Sequence, residues 1–114
     1  MAVADDSDEL IAAVTDSTRR QMLDLLLERG ESTATSLAET LPVTRQAVSK
    51  HLAVLDRAGL VRGHKSGREV RYQVVVSRLD EATHSLAAIA STWDRRLLRI
   101  KQIAEAQHRR RSTS

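Results

Sequence analysis

Val43-Thr44-Arg45-Gln46-Ala47-Val48-Ser49-Lys50-His51-Leu52-Ala53-Val54-Leu55-Asp56-Arg57-Ala58-Gly59-Leu60-Val61 is the most informative stretch of the 114-residue chain. Thr44 is a capping residue ahead of a run free of glycine and proline, and Ala58-Gly59 stops it, so a helix is predicted over about 44–57. Counted at about 100° per residue from Thr44, Val48, Leu52 and Leu55 gather within one core-facing sector. His51 falls on the same side and reads as structural. Gln46, Ser49, Lys50, Ala53 and Arg57 fill the opposite sector, which holds no acid. A solvated helix face ordinarily mixes Glu with Lys for pairing. A face of small and extended donors without a carboxylate suits base edges and phosphates in a DNA major groove.

The chain on either side completes the pattern. Upstream, Thr33 can cap a short helix that buries Leu37, Ala38 and Leu41, and Pro42 prevents its continuation. A helix over about 17–29, capped by Asp16 or Ser17 and ended by Gly30, places Met22, Leu23, Leu26 and Leu27 on one stripe. Before it, Ser7 can cap a helix over about 8–14 with Leu10, Ile11 and Val14 inward. Downstream, residues 60–65 and 68–76 read as a β-hairpin in which Val70, Tyr72 and Val74 alternate with Arg71 and Gln73. Its tip, Lys65-Ser66-Gly67-Arg68, has glycine where a positive φ is needed and a cation on each side. A merely structural hairpin needs the turn but not the cations; a wing lying along a phosphate backbone needs both.

The last element is long. Leu79, Ala82, Leu86, Ile89, Trp93, Leu97, Ile100 and Ala104 recur at steps of three or four, which predicts a helix over about 79–106. Its stripe exceeds what so small a domain can cover, and the simplest partner is a second copy. The expected dimer interface is Leu10, Leu79, Ala82, Leu86, Ile89, Trp93, Leu97 and Ile100. Residues 108–114 read as a disordered basic tail. The fold class expected is mainly α with a small β-hairpin: one winged helix-turn-helix domain over 1–107, with a long C-terminal dimerisation helix.

Charge and composition narrow the function. Residues 1–16 carry five acids and no base. Residues 44–71 carry seven bases against Asp56 and Glu69, and residues 95–111 seven more against Glu105. Two basic zones point to a polyanion. Only two aromatic residues, Tyr72 and Trp93, are present, too few rings for stacking on a single strand. Cysteine is absent, which excludes disulfides and thiolate metal sites. No apolar run of membrane-spanning length occurs, and the acidic start Met1-Ala2-Val3-Ala4-Asp5-Asp6 does not read as a signal peptide, so a cytoplasmic location is expected. No nucleophile–base set and no phosphate-binding glycine loop suggests an enzyme. A protein-interaction module is the other class to weigh, and the acid-free basic face argues against it.

The segments Asp16 to Leu26 (beginning Asp16-Ser17-Thr18-Arg19-Arg20-Gln21), Ser36-Leu37-Ala38-Glu39, Val43 to Leu55 and Ala58-Gly59-Leu60-Val61 together resemble the ArsR/SmtB-type family of bacterial regulators. The resemblance covers about residues 10–76. It implies a winged-helix homodimer paired mainly by its first and last helices, bound to an inverted repeat near a promoter. It implies repression in most cases, often of the regulator's own operon, and release of DNA by a metal in many members. The sequence departs from the metal-sensing patterns, having no cysteine pair. Its nearest ligand sets, Asp80 with His84 and Glu105 with His108, do not match the usual spacing. No cofactor is therefore expected, and a zinc- or nickel-responsive regulator of the same family is the alternative. The expected DNA-binding residues are Thr44, Arg45, Gln46, Ser49 and Lys50 on the helix, with Arg45 and Gln46 as base readers, and Lys65, Ser66, Arg68 and Arg71 on the wing.

Overall fold

A computed structural model describes residues 6–112. The elements run α1 (Asp6–Thr15), α2 (Ser17–Arg29), β1 (Ser32–Thr33), α3 (Ala34–Thr40), α4 (Arg45–Arg57), β2 (Val61–Ser66), β3 (Glu69–Val74) and α5 (Val76–Ser112). The three strands form an antiparallel sheet in the order β1-β3-β2. The chain falls into two compact units, one ending at Thr83 and the other beginning at His84.

The caps of the first unit follow the sequence. Asp16, Thr33 and Thr44 accept the backbone N–H of Arg19, Ser36 and Ala47 at 2.9, 3.1 and 3.1 Å. Each satisfies one of the donors that a helix start leaves without a partner. The bond from Arg19 N–H, reinforced by the Arg19 charge and by His51, holds the Asp16 carboxyl below its usual pKa. His51 Nδ1 lies 3.9 Å from Asp16 Oδ2. At the far end of α4, Gly59 N–H bonds Asp56 O and Leu60 N–H bonds Leu55 O, both at 2.9 Å. This is a Schellman stop, and it needs the positive φ of 77° that glycine supplies at Gly59. The chain thus turns directly into β2, with Leu60 fully buried beneath the turn.

The core of this unit joins Leu10, Ala13 and Val14 of α1, Met22, Leu23 and Leu26 of α2, Leu37 of α3, and Val48, Leu52 and Leu55 of α4. Leu60, Val61 and Ala82 close it. In the second unit the helix runs on from His84 to Ser112 with its large apolar side chains exposed.

Several expectations are corrected. α1 begins at Asp6, so Ser7 lies inside its first turn rather than ahead of it. Leu27, expected in the core, is 49% exposed, because Met22, Leu23 and Leu26 already fill the inward sector of α2. Leu10 and Ala82, expected at the dimer interface, are 2% and 1% exposed and are consumed by the chain's own core, and Leu79 packs partly against that core. The tail is helical as far as Ser112, so the disorder expected from residue 108 does not hold. Nothing between Ala104 and Ser112 breaks a helix, and Arg109, Arg110 and Arg111 place cations at the negative end of its dipole. Residues 113–114 lie outside the described residues. The strand β1 was not expected. Two residues carry no periodic signal, and this pair is a strand only because Ser32 and Thr33 register with Tyr72 and Arg71.

Candidate nucleic-acid interface

The helix α4 presents the two faces that its periodicity demands. Val48, Leu52 and Leu55 have no exposed surface, while Arg45, Gln46, Ser49, Lys50, Ala53 and Arg57 are exposed. Burial of three β- and γ-branched side chains on one side fixes the rotation of the helix about its axis. The opposite row must then point outward. Thr44 is also exposed, but its oxygen already accepts the Ala47 N–H, which leaves its hydroxyl hydrogen to meet a phosphate.

The helix α3 is clamped from behind. The Arg29 guanidinium donates to Thr40 Oγ1 and to Ser36 O and Oγ, tying the end of α2 to α3. Leu37 and Leu41 anchor the inner side of this turn. The helix α3 is therefore held by apolar packing on one side and by a charged clasp to α2 on the other.

The wing is a two-residue hairpin. Ser66 pairs with Glu69, which leaves Gly67 and Arg68 as the loop, and Gly67 has φ 64°. A glycine in the first loop position with positive φ matches the right-handed twist of the flanking strands. Lys65, Ser66, Arg68 and Arg71 are all exposed. Arg71 Nη2 lies 3.7 Å from Glu69, and His64 Nε2 lies 3.1 Å from Glu31, so part of the wing's charge is internally paired. Arg45, Lys50, Lys65 and Arg68 make no ion pair among the described residues.

Helix and wing meet across a cleft of about 210 Å³. Arg45 and Ser49 of α4 form one wall, Arg68 and Tyr72 of the hairpin the other, and Thr35 of α3 contributes to the lining. Two guanidiniums and the hydroxyls of Thr33, Thr35, Ser49 and Tyr72 line it, with the Glu69 carboxylate beside them. Thr35 and Tyr72 were not singled out by the sequence. No motif marks them, because their place at the cleft depends on the pairing of β1 with β3.

Among the described residues, no group of three or more His, Cys, Asp or Glu side chains is arranged to hold a metal. Among those residues, no helix is long and apolar enough to cross a membrane.

This arrangement has known counterparts. A helix-turn-helix domain model matches residues 14–64. The chain is 43% identical over 75 residues to the HTH-type transcriptional regulator YuzN of Bacillus subtilis, spanning 60% of this chain and 78% of that protein. It is 34% identical over 87 residues to the HTH-type transcriptional repressor SmtB of Mycobacterium tuberculosis, spanning 76% of this chain and 58% of the other. Its fold overlays an ArsR-like transcriptional regulator from Rhodococcus sp. RHA1 with TM-score 0.65 and 44% identity, covering 87% of this chain and 92% of that one. The chain belongs to the ArsR/SmtB family. As an ArsR/SmtB protein it is a DNA-binding transcription regulator, and the exposed face of α4 with the adjoining wing is the part of its surface suited to that task.

Proposed function

We propose that the protein is a homodimeric repressor that binds an inverted-repeat operator near its own promoter. One observation carries the reading: an exposed, acid-free face on α4 stands across a cleft from a wing whose Lys65 and Arg68 make no ion pair among the described residues. Arg45 and Gln46, at the helix start, read base edges. Thr44, Ser49, Lys50, Lys65, Ser66, Arg68 and Arg71 hold phosphates and set the register. The second copy is called for by Leu86, Ile89, Trp93, Leu97 and Ile100, which share one stripe of α5 and are 38–62% exposed. Two-fold symmetry in the protein implies two-fold symmetry in the operator, with half-site centres one or two helical turns apart.

Selection of bound sequences from random duplex DNA tests the reading, and an enriched inverted repeat is the expected product. Single changes then separate the two kinds of contact. Arg45→Ala or Gln46→Ala relaxes sequence preference and costs about 1–3 kcal/mol on the selected operator. Lys65→Ala weakens all duplexes alike. Titration against salt gives a log–log slope of about −5 to −7, as for a dimer neutralising roughly 6–8 phosphates. A slope near −1 would place DNA elsewhere.

A further inference from the structure

The first unit holds another cavity, of about 300 Å³, which shares no lining residue with the cleft between α4 and the wing. Glu9, Ala12 and Ala13 line it from α1, Arg19 from α2, and Val54, Arg57 and Ala58 from α4. Spacings of three and four put the α1 residues on one side of that helix, and the α4 residues on one side of theirs. The space exists because α1 and α4 carry alanine where they approach: Ala13 and Ala58 are buried, and neither side chain is long enough to fill it. With Val54 and Ala12 they give the cavity an apolar floor. Arg19 donates from Nε to Ala13 O at 2.8 Å and from Nη2 to Ala12 O at 3.0 Å, so the last carbonyls of α1 hold its guanidinium in place. Among the described residues, Arg19 Nη1 makes no hydrogen bond, and the Arg57 guanidinium makes neither a hydrogen bond nor an ion pair. Asp16 attracts the Arg19 charge but does not line the cavity. Glu9 is the acid of the lining, and it is exposed.

We infer that this cavity is an effector site for a small monocarboxylate with a compact apolar body. An apolar pocket with a few convergent polar groups is the usual form of a small-molecule site. Guanidinium donors match the geometry of a carboxylate, and the one on Arg19 is already positioned by the chain. The alanine and valine floor takes the hydrocarbon part. Inorganic phosphate would meet the cations but leave that floor unfilled, and a neutral hydrocarbon would leave the donors without an anion. Glu9, at the rim, repels the incoming carboxylate and weakens its binding. Because α4 forms one wall, the ligand touches the recognition helix itself. Its negative charge beside Arg57 subtracts from the basic face that α4 offers to DNA, so occupancy weakens operator binding. The binding site stands on the cavity alone, while its effect on the operator rests on the proposed DNA-bound reading.

The test is calorimetric titration of the full chain with benzoate and with hexanoate, beside the neutral benzamide and inorganic phosphate. At least one of the two carboxylates should bind with a dissociation constant below about 1 mM, and the two controls at least roughly tenfold more weakly. Arg57→Gln should weaken the carboxylate by roughly 10–100-fold. Ala12→Leu should abolish its binding by filling the cavity, and Glu9→Gln should tighten it. Glu9, Ala12 and Arg57 are all exposed, so each unliganded variant should melt with the wild type. Saturating carboxylate should weaken operator binding by about fivefold or more in the wild type and leave Ala12→Leu unaffected. Absence of carboxylate binding would overturn the inference. So would equal affinity for either control, or an isotherm that Arg57→Gln and Ala12→Leu leave unchanged. Carboxylate binding with unaltered operator affinity would overturn the effector role. Failure of the wild type to bind any duplex would instead refute the proposed function, and the isotherms alone would then decide the site.

Discussion

Replacing Leu86 and Trp93 together with aspartate is expected to give monomers and to abolish operator binding. Both side chains lie on the exposed stripe of α5, at 38% and 55% exposure, seven residues and about two turns apart. In a paired state they lose most of that surface, and apolar area removed from water is worth about 25 cal/mol per Å². Two carboxylates per chain reverse the sign of the contribution, because burying an unpaired charge is costly. Neither residue belongs to the core that closes around Leu26, Leu52 and Leu60, so helix content should be retained. The effect on DNA binding is larger than that of removing any single contact. A tethered second half-site raises avidity by about 10²–10⁴, and a monomer forfeits all of it. Sedimentation at micromolar concentration and gel shift on the selected operator check both parts. A double variant that still sediments as a dimer would place the subunit contact outside this stripe.

Leu52→Ala is expected to be the most destabilising conservative change on the recognition helix, at about 2–5 kcal/mol. Leu52 has no exposed surface and packs in the cluster that joins α1, α2, α3 and α4. Truncation leaves a cavity that surrounding helices, already tied by the Arg29 clasp and the Schellman turn, cannot close easily. Against the roughly 5–15 kcal/mol that holds a domain of this size together, the loss is a large fraction. The melting temperature should fall by about 10–20 °C. Gln46→Ala, on the opposite face of the same helix, should shift stability by less than about 0.5 kcal/mol while altering sequence preference. Thermal unfolding followed by circular dichroism, beside operator titrations, separates the two faces. A Gln46→Ala protein that melts with Leu52→Ala would mean that the outward face is structural.

The sequence determined the elements whose causes are local. The hydroxyls of Thr33 and Thr44 lie one residue ahead of helix starts, Gly30 and Gly59 supply positive φ at helix ends, and Gly67 supplies it at the wing. Each acts within a few residues, so each is legible in one dimension. The two faces of α4 and the apolar stripe of α5 were equally legible, since a period of 3.6 is written directly in residue order. Tertiary structure decided which apolar residues are used up inside the chain. Leu10 and Ala82 were indistinguishable from Leu86 by periodicity, but the first two fill the core and the third does not. Burial depends on which other elements arrive at a face, and spacing along one helix carries no record of that. The same reason hid β1 and the cleft between α4 and the wing. Ser32 and Thr33 become a strand, and Thr35 and Tyr72 come to line the cleft with Arg45, only when β3 returns along residues some forty positions earlier in the chain.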